Sequence, residues 1–228
     1  MISRTKISAL MFSLVLLFTV NGCSTGWPHR YDTLAPRLSA RGQGKVIVVS
    51  RDQRPHIMDG TKRPQHVGMV RGMYGDPWEV LTASGKPFGQ DLSSAVCNAM
   101  LGRGYDCLPL ISAHSDIKSE IDYLVSKYSP IRILYFTIGQ WENDIYTKTI
   151  LDYDLLMDVW SGRGRAMASV RVRGQDELPV TSFFNPAQNA SIAAPQALER
   201  YLQLLLNNDK ATAALNIVRD IDELGAKY

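Results

Sequence analysis

Three cysteines, four histidines and almost no excess charge leave this 228-residue chain poorly equipped for several familiar chemistries. His29, His56, His66 and His114 fall at no spacing that holds a metal, so neither a metal nor another cofactor is expected. Lys and Arg number 25 against 22 Asp and Glu. A nucleic-acid binder needs a strong basic field, and that partner is not expected. The nucleophile elbow G-x-S-x-G is missing. Ser115-Asp116-Ile117-Lys118 fits the S-x-x-K pattern of penicillin-recognising enzymes but lacks their S-D-N and K-T-G partners, and Ser115 reads better as a helix cap. Gly162-x-Gly164 has no further glycine or helix behind it, and Ser84-Gly85-Lys86 lacks the leading glycine of a phosphate loop. No catalysis is expected. The one long apolar run, Ile7 to Val20, is broken by Ser8, Ser13 and Thr19 and falls short of the roughly 20 residues that span a bilayer.

That run is nevertheless what organises the chain. Arg4 and Lys6 precede it, and Asn21-Gly22-Cys23 follow it. A positive start, an apolar stretch and a small-residue exit mark an export signal. The Val20-Asn21-Gly22-Cys23 ending resembles the lipobox of bacterial lipoproteins, with Asn21 less typical than Ala, Ser or Thr. The resemblance implies cleavage after residue 22, a diacylglyceryl group on the Cys23 sulfur and an acylated Cys23 amine. Ser24 stands where an Asp would imply retention at the inner membrane, so the resemblance implies the outer membrane, facing the periplasm. Two or more chains anchor stably where one does not. Without Arg4 and Lys6 the mature chain has a net charge of about +1.

Residues 23–44 are punctuated by Gly26-Trp27-Pro28, Pro36 and Arg41-Gly42-Gln43-Gly44, which reads as a flexible tether with a reach of roughly 25 Å. Residues 45–228 read as a single α+β domain, with a mixed, largely antiparallel sheet covered by about four helices. Lys45 to Ser50 is a β-branched run, a buried strand. Val67 to Leu81 reads as a hairpin turning at Gly75-Asp76-Pro77. A helix is predicted over Pro87 to Arg103, its stripe formed by Phe88, Leu92, Ala95, Val96, Ala99 and Met100, then a strand over Asp106 to Leu110. A second helix over Asp116 to Lys127 is capped by Ser115, and Ile131 to Ile138 forms a central strand. Thr181 to Ala194 reads as loop, Pro195 as the first turn of a helix, and Asn208 or Asp209 as the start of a last one reaching Val218 and Ile221.

The clearest pattern is alternation over Ile150 to Arg173 about Ser161-Gly162-Arg163-Gly164. A four-residue turn would set Asp154 opposite Arg171 and Asp152 opposite Arg173, with Leu155 beside Val170 on the apolar face. Asp152, Asp154 and Asp158 then form a solvated, paired face in preference to a cation site. Cys97 on the helix and Cys107 on the strand lie level, each roughly 9–10 Å from the Gly102-Arg103-Gly104 turn. They are either bridged, as an oxidising compartment permits, or two small buried apolar groups. Arg51, Asp52 and Arg54, and separately Arg71, Tyr74 and Trp78, form a candidate partner surface of interface-type residues. The competing reading is local ion pairing and a packed hairpin.

A leader with Cys23, a short tether, a strand ending in Ser50-Arg51-Asp52-Gln53-Arg54, and a helix then a strand after Gly104-Tyr105 together resemble YajG-type small envelope lipoproteins. The glycine-rich Val67–Gly75 insert departs from that pattern. The resemblance implies an accessory protein that binds another envelope component, with the membrane held through Cys23. A small-molecule or lipid carrier would need an apolar cavity under the Val67–Leu81 hairpin. A hydrolase would need an unfamiliar site.

Overall fold

The computed structural model describes residues 27–71, 77–179 and 185–216. The leader, Cys23, Tyr74, the expected turn at Gly75-Asp76, Val218 and Ile221 lie outside the described residues. No described helix is long and apolar enough to cross a membrane.

The element order is β1 (Lys45–Asp52), α1 (Pro55–Met58), β2 (His66–Arg71), β3 (Pro77–Leu81), α2 (Phe88–Leu101), β4 (Asp106–Ile111), α3 (Ile117–Tyr128), β5 (Arg132–Ile145), β6 (Thr149–Ser161), β7 (Ala166–Leu178), α4 (Pro186–Leu206) and α5 (Asp209–Leu215). These seven strands share one mixed sheet. The expectation of a largely antiparallel sheet is corrected: among the described residues three of its six pairings, β1 with β4, β1 with β5 and β2 with β5, are parallel. Strands β1, β4 and β5 are joined through helices, which return the chain to the same end of the sheet.

The long strand β5 divides the sheet. Arg132–Ile138 pair with β1 along one edge, and Asn143–Ile145 pair with β2 farther along that same edge. The other edge pairs with β6 throughout, apart from a register shift between Ile138 and Gln140. Before the shift Leu134, Phe136 and Ile138 face the main core, and after it Trp141 and Ile145 do. The slip at Gly139 breaks the period-2 signal, which is why the sequence pattern ends the strand at Ile138.

One face of the sheet packs against α2, α4 and α5; the opposite face, through Ile47, Val49, Ile133 and Tyr135, packs against Ile121 and Leu124 of α3. The Cys97 and Cys107 sulfurs are bonded, tying the end of α2 to β4 with Cα atoms 5.3 Å apart.

The tether reading fails from His29 onward. His29 and Tyr31 are fully buried, and Leu38 and Ala40 nearly so. The Tyr31 ring packs edge-on against Phe88 and Trp141, and its hydroxyl accepts from Trp141 Nε1 at 3.1 Å. These isolated apolar residues lack helical or strand period, so composition alone hides their burial.

Three local readings are also corrected. Asp116, not Ser115, caps α3, accepting from the Ser119 amide at 2.9 Å. The loop expected before Pro195 is helix from Pro186, which takes the first-turn position behind the Asn185 cap, while Pro195 lies inside α4. An internal proline costs about 3 kcal/mol; burial of Ala190, Ala193, Ala194 and Leu198 against the sheet offsets it. In the β6–β7 hairpin the partners are Asp154 with Arg173, Asp152 with Gln175 and Leu155 with Val172, two residues from the expected register. Ser161 pairs with Arg165 across a three-residue turn holding Gly164 at φ +72°, and a bulge follows at Val159/Trp160. Each contributes one residue, so beyond the bulge the side chains keep their expected faces. Arg171 still clamps Asp154 diagonally through bonds of 2.7 and 2.5 Å.

Candidate functional site

The apolar packing of α3 reaches Tyr135 and Trp160. Beyond them the same face of the sheet turns polar, with Gln140 and Glu142 on β5 paired with Asp154 and Asp152 on β6, which pair in turn with Arg173 and Gln175 on β7. An open cleft of about 360 Å³ lies here, lined by Gly139, Gln140, Tyr153, Asp154, Arg173 and Gln175 among others.

At the rim of this face, β1 has left β5 and β2 has not yet begun. Arg54 fills the gap. Its Nη1 donates to the carbonyls of His66 at 2.5 Å and Trp141 at 3.1 Å; Nε and Nη2 bind the two Asp52 oxygens at 2.9 and 2.7 Å. The guanidinium thus completes the β5 edge where no strand can, and it rests over the Phe88 ring. The placement of Arg54 on a partner surface is corrected. It is fully buried instead, because interrupted pairing leaves carbonyl oxygens that need a multidentate donor.

Around that plug lie two histidines and two glutamates. Pro55 opens α1 and places His56; β2 opens on His66; β3 carries Glu79 and β5 carries Glu142. His66 is fully buried, with Nδ1 3.0 Å from Glu79 Oε1 and Nε2 3.4 Å from Glu142 Oε1. Arg63 holds the other Glu79 oxygen at 2.6 Å. His56 Nδ1 lies 3.9 Å from Glu142 Oε2, and its Nε2 is shielded from solvent with no hydrogen-bond partner. The hydrogen bond to His66 holds the Glu142 carboxyl below its usual range against the opposing push of burial. Burial pushes the Glu79 carboxyl up, but Arg63 and His66 together outweigh it and the group ends below its usual range. Burial also lowers the His56 imidazole, favouring the neutral ring. One ligand atom each from His56, His66 and Glu142 lies within 4.8 Å of the others. No metal spacing is visible in the sequence because these residues come from three separate elements, with His66 and Glu142 76 positions apart.

The remaining candidates are dispersed. Arg51 and Asp52 are half-buried at the end of β1, beside Thr137 and Ile138. Arg71 is exposed and binds Asp144 through two bonds of 2.9 Å, and Trp78 is exposed. Seven β5 residues, roughly 23 Å of strand, separate the two groups. Under the β2–β3 hairpin Val67 and Val80 are fully buried in the main core.

No family model matches this chain, and no curated protein matches it. Solved structures do. Protein XCC0632 from Xanthomonas campestris, of the DUF330 family, superposes with a TM-score of 0.50 at 13% identity, over 82% of this chain and 96% of its own. Lipoprotein GNA1162 from Neisseria meningitidis gives 0.33 at 10% identity, over 72% and 99%. A PelC dodecamer from Paraburkholderia phytofirmans gives 0.34 at 10%, over 77% and 95%. At 13% identity the likeness to XCC0632 concerns the fold alone. None of the three is a YajG-type protein, and that finer resemblance has no support here.

Proposed function

We propose that this chain is a lipid-anchored accessory protein of the bacterial envelope, held at the outer membrane on its periplasmic side by acyl chains on Cys23, and that it binds an envelope protein without catalysing a reaction. The observation that carries this reading is the position of Cys23 relative to the body. Among the described residues burial starts at His29, six residues after Cys23, so the connection between the two reaches at most about 20 Å. An anchor that short holds the domain against the bilayer, where the polar face of β5, β6 and β7 is offered to a neighbour. Exposed Arg171 and Arg173 and the open cleft beside them suit a polar, hydrogen-bonding contact.

Two measurements test this. Cys23→Ser should move the protein from the membrane to the soluble periplasmic fraction; unchanged fractionation removes the anchor. A photo-crosslinking residue at Arg173 or Gln175 should capture one discrete envelope protein in cells, whereas the same residue at Ile192 on α4 should not. Equal, diffuse capture at all three positions removes the binding face.

A further inference from the structure

We infer that His56, His66 and Glu142 form a binding site for a divalent transition-metal ion of the zinc class, with Glu79 as the residue that orients His66. Such a site is independent of the lipid anchor and would survive its failure.

The His66 ring sets the main constraint. A neutral imidazole donates from one nitrogen and presents a lone pair at the other. In His66 both nitrogens face carboxylates, Glu79 at 3.0 Å and Glu142 at 3.4 Å. If Nδ1–H donates to Glu79, the shorter contact, then the Nε2 lone pair points at a carboxylate oxygen. That opposition needs a positive charge between the two atoms. Metal-ligating histidines characteristically donate their other N–H to a carboxylate, which fixes the tautomer and orients the ring. Glu79 sits in that role, itself fixed by Arg63.

Distances and charge agree. Ligands about 2.0–2.1 Å from a tetrahedral zinc lie roughly 3.3 Å apart, close to the separation already present between His66 Nε2 and Glu142 Oε1. His56 is the ligand that must close in. It stands on a four-residue helix, with a side chain 19% exposed and a shielded Nε2 that has no partner. Of the other charges packed here, Arg54 is matched by Asp52 and Arg63 by Glu79. Among these described groups, Glu142 alone lacks a full counter-charge. Two imidazoles and one carboxylate suit zinc or a neighbouring first-row ion better than calcium or magnesium, which take oxygen ligands. The 30% exposure of the Glu142 side chain leaves the fourth position open to water or to a partner's side chain.

The competing arrangement is a proton on His66, giving a buried imidazolium between two glutamates and no metal site. The full-length chain carrying Cys23→Ser, which removes the one thiol outside the disulfide, is stripped with chelator and titrated with Zn²⁺ by calorimetry and with Co²⁺ by visible absorption. The expected result is one saturable ion per chain, with a cobalt spectrum of low coordination number. His56→Ala and Glu142→Gln should each weaken binding at least tenfold, Glu79→Gln ten- to hundredfold, and His114→Ala not at all. Binding that is absent at micromolar zinc, or that survives both His56→Ala and Glu142→Gln unchanged, overturns the inference and leaves an ion pair only. A thermal melt with and without zinc provides an independent readout: zinc should raise the wild-type midpoint and leave that of Glu142→Gln in place. Equal midpoint shifts in the two proteins would likewise overturn the site.

Discussion

Asp52 grips Arg54 through two side-chain bonds of 2.9 and 2.7 Å, and the guanidinium it holds is wholly shielded from water. The pair sits where two parallel strands, β1 and β2, succeed one another along a single edge of β5. A sequence feature that reads as a turn with surface charge is thus a structural splice. Removing one member of a buried ion pair strands the other, at about 3–5 kcal/mol. Asp52→Ala should therefore lower the unfolding free energy in urea by that amount. Arg54→Lys should be nearly as damaging, since an ammonium cannot reach two carbonyls and both carboxylate oxygens in one plane. A loss under about 1 kcal/mol for Asp52→Ala, the range of an exposed pair, would show that the guanidinium needs only its carbonyl partners.

Burial shifts two groups in the main core in opposite senses. It pushes His29 down to about 3 and Asp91 up to about 6. Unfolding lets His29 take a proton from about pH 6.5, so its contribution to stability is lost as pH falls from there towards 3. Folded Asp91 is protonated below about 6, whereas the unfolded carboxyl waits until about 3.8, so acidification over that window adds stability. Between those two values the opposing slopes nearly cancel. Asp91→Asn should expose the His29 limb, a loss of about 1.4 kcal/mol for each pH unit of acidification. His29→Gln should expose the opposite slope. Denaturant midpoints at half-unit pH steps measure both, and parallel profiles for the two variants would refute the assignment.

The bridge between Cys97 and Cys107 spans ten positions. A loop of that size restricts the unfolded chain by about 3 kcal/mol. The double replacement Cys97→Ala, Cys107→Ala should lose that much in urea under oxidising conditions. Under reducing conditions wild type and variant should converge. Because Cys97 is only 3% exposed, reduction of the folded protein should be slow without denaturant.

A chain begun at Lys45, the start of the first strand, should fail to fold. It lacks Tyr31, whose ring fills the space between Phe88 and Trp141, and Leu38 and Ala40, which join the same core. Circular dichroism and gel filtration should report an unfolded or aggregated species. A chain begun at Trp27 should give a cooperative thermal transition.

The stripe of α2, the alternation of β6 and β7 and the β-branched run of β1 are legible in the sequence because each element writes its buried face into its own local period. The hairpin register differs by two residues from the expected one, since turn type and a bulge at Val159/Trp160 leave no hydrophobic signature. Arg54 and Tyr31 escape a sequence reading for a related reason: a lone arginine or tyrosine among polar neighbours looks exposed until a distant carbonyl or ring gives it a partner.

By itself, the order of amino acids determined the amphipathic elements, because those are properties of neighbours in the chain. Only tertiary structure decided that His56, His66, Glu79 and Glu142 meet, since their meeting depends on β5 pairing with two strands in succession. Local periodicity states which face of a strand is buried; it carries no record of which distant strand arrives to bury it.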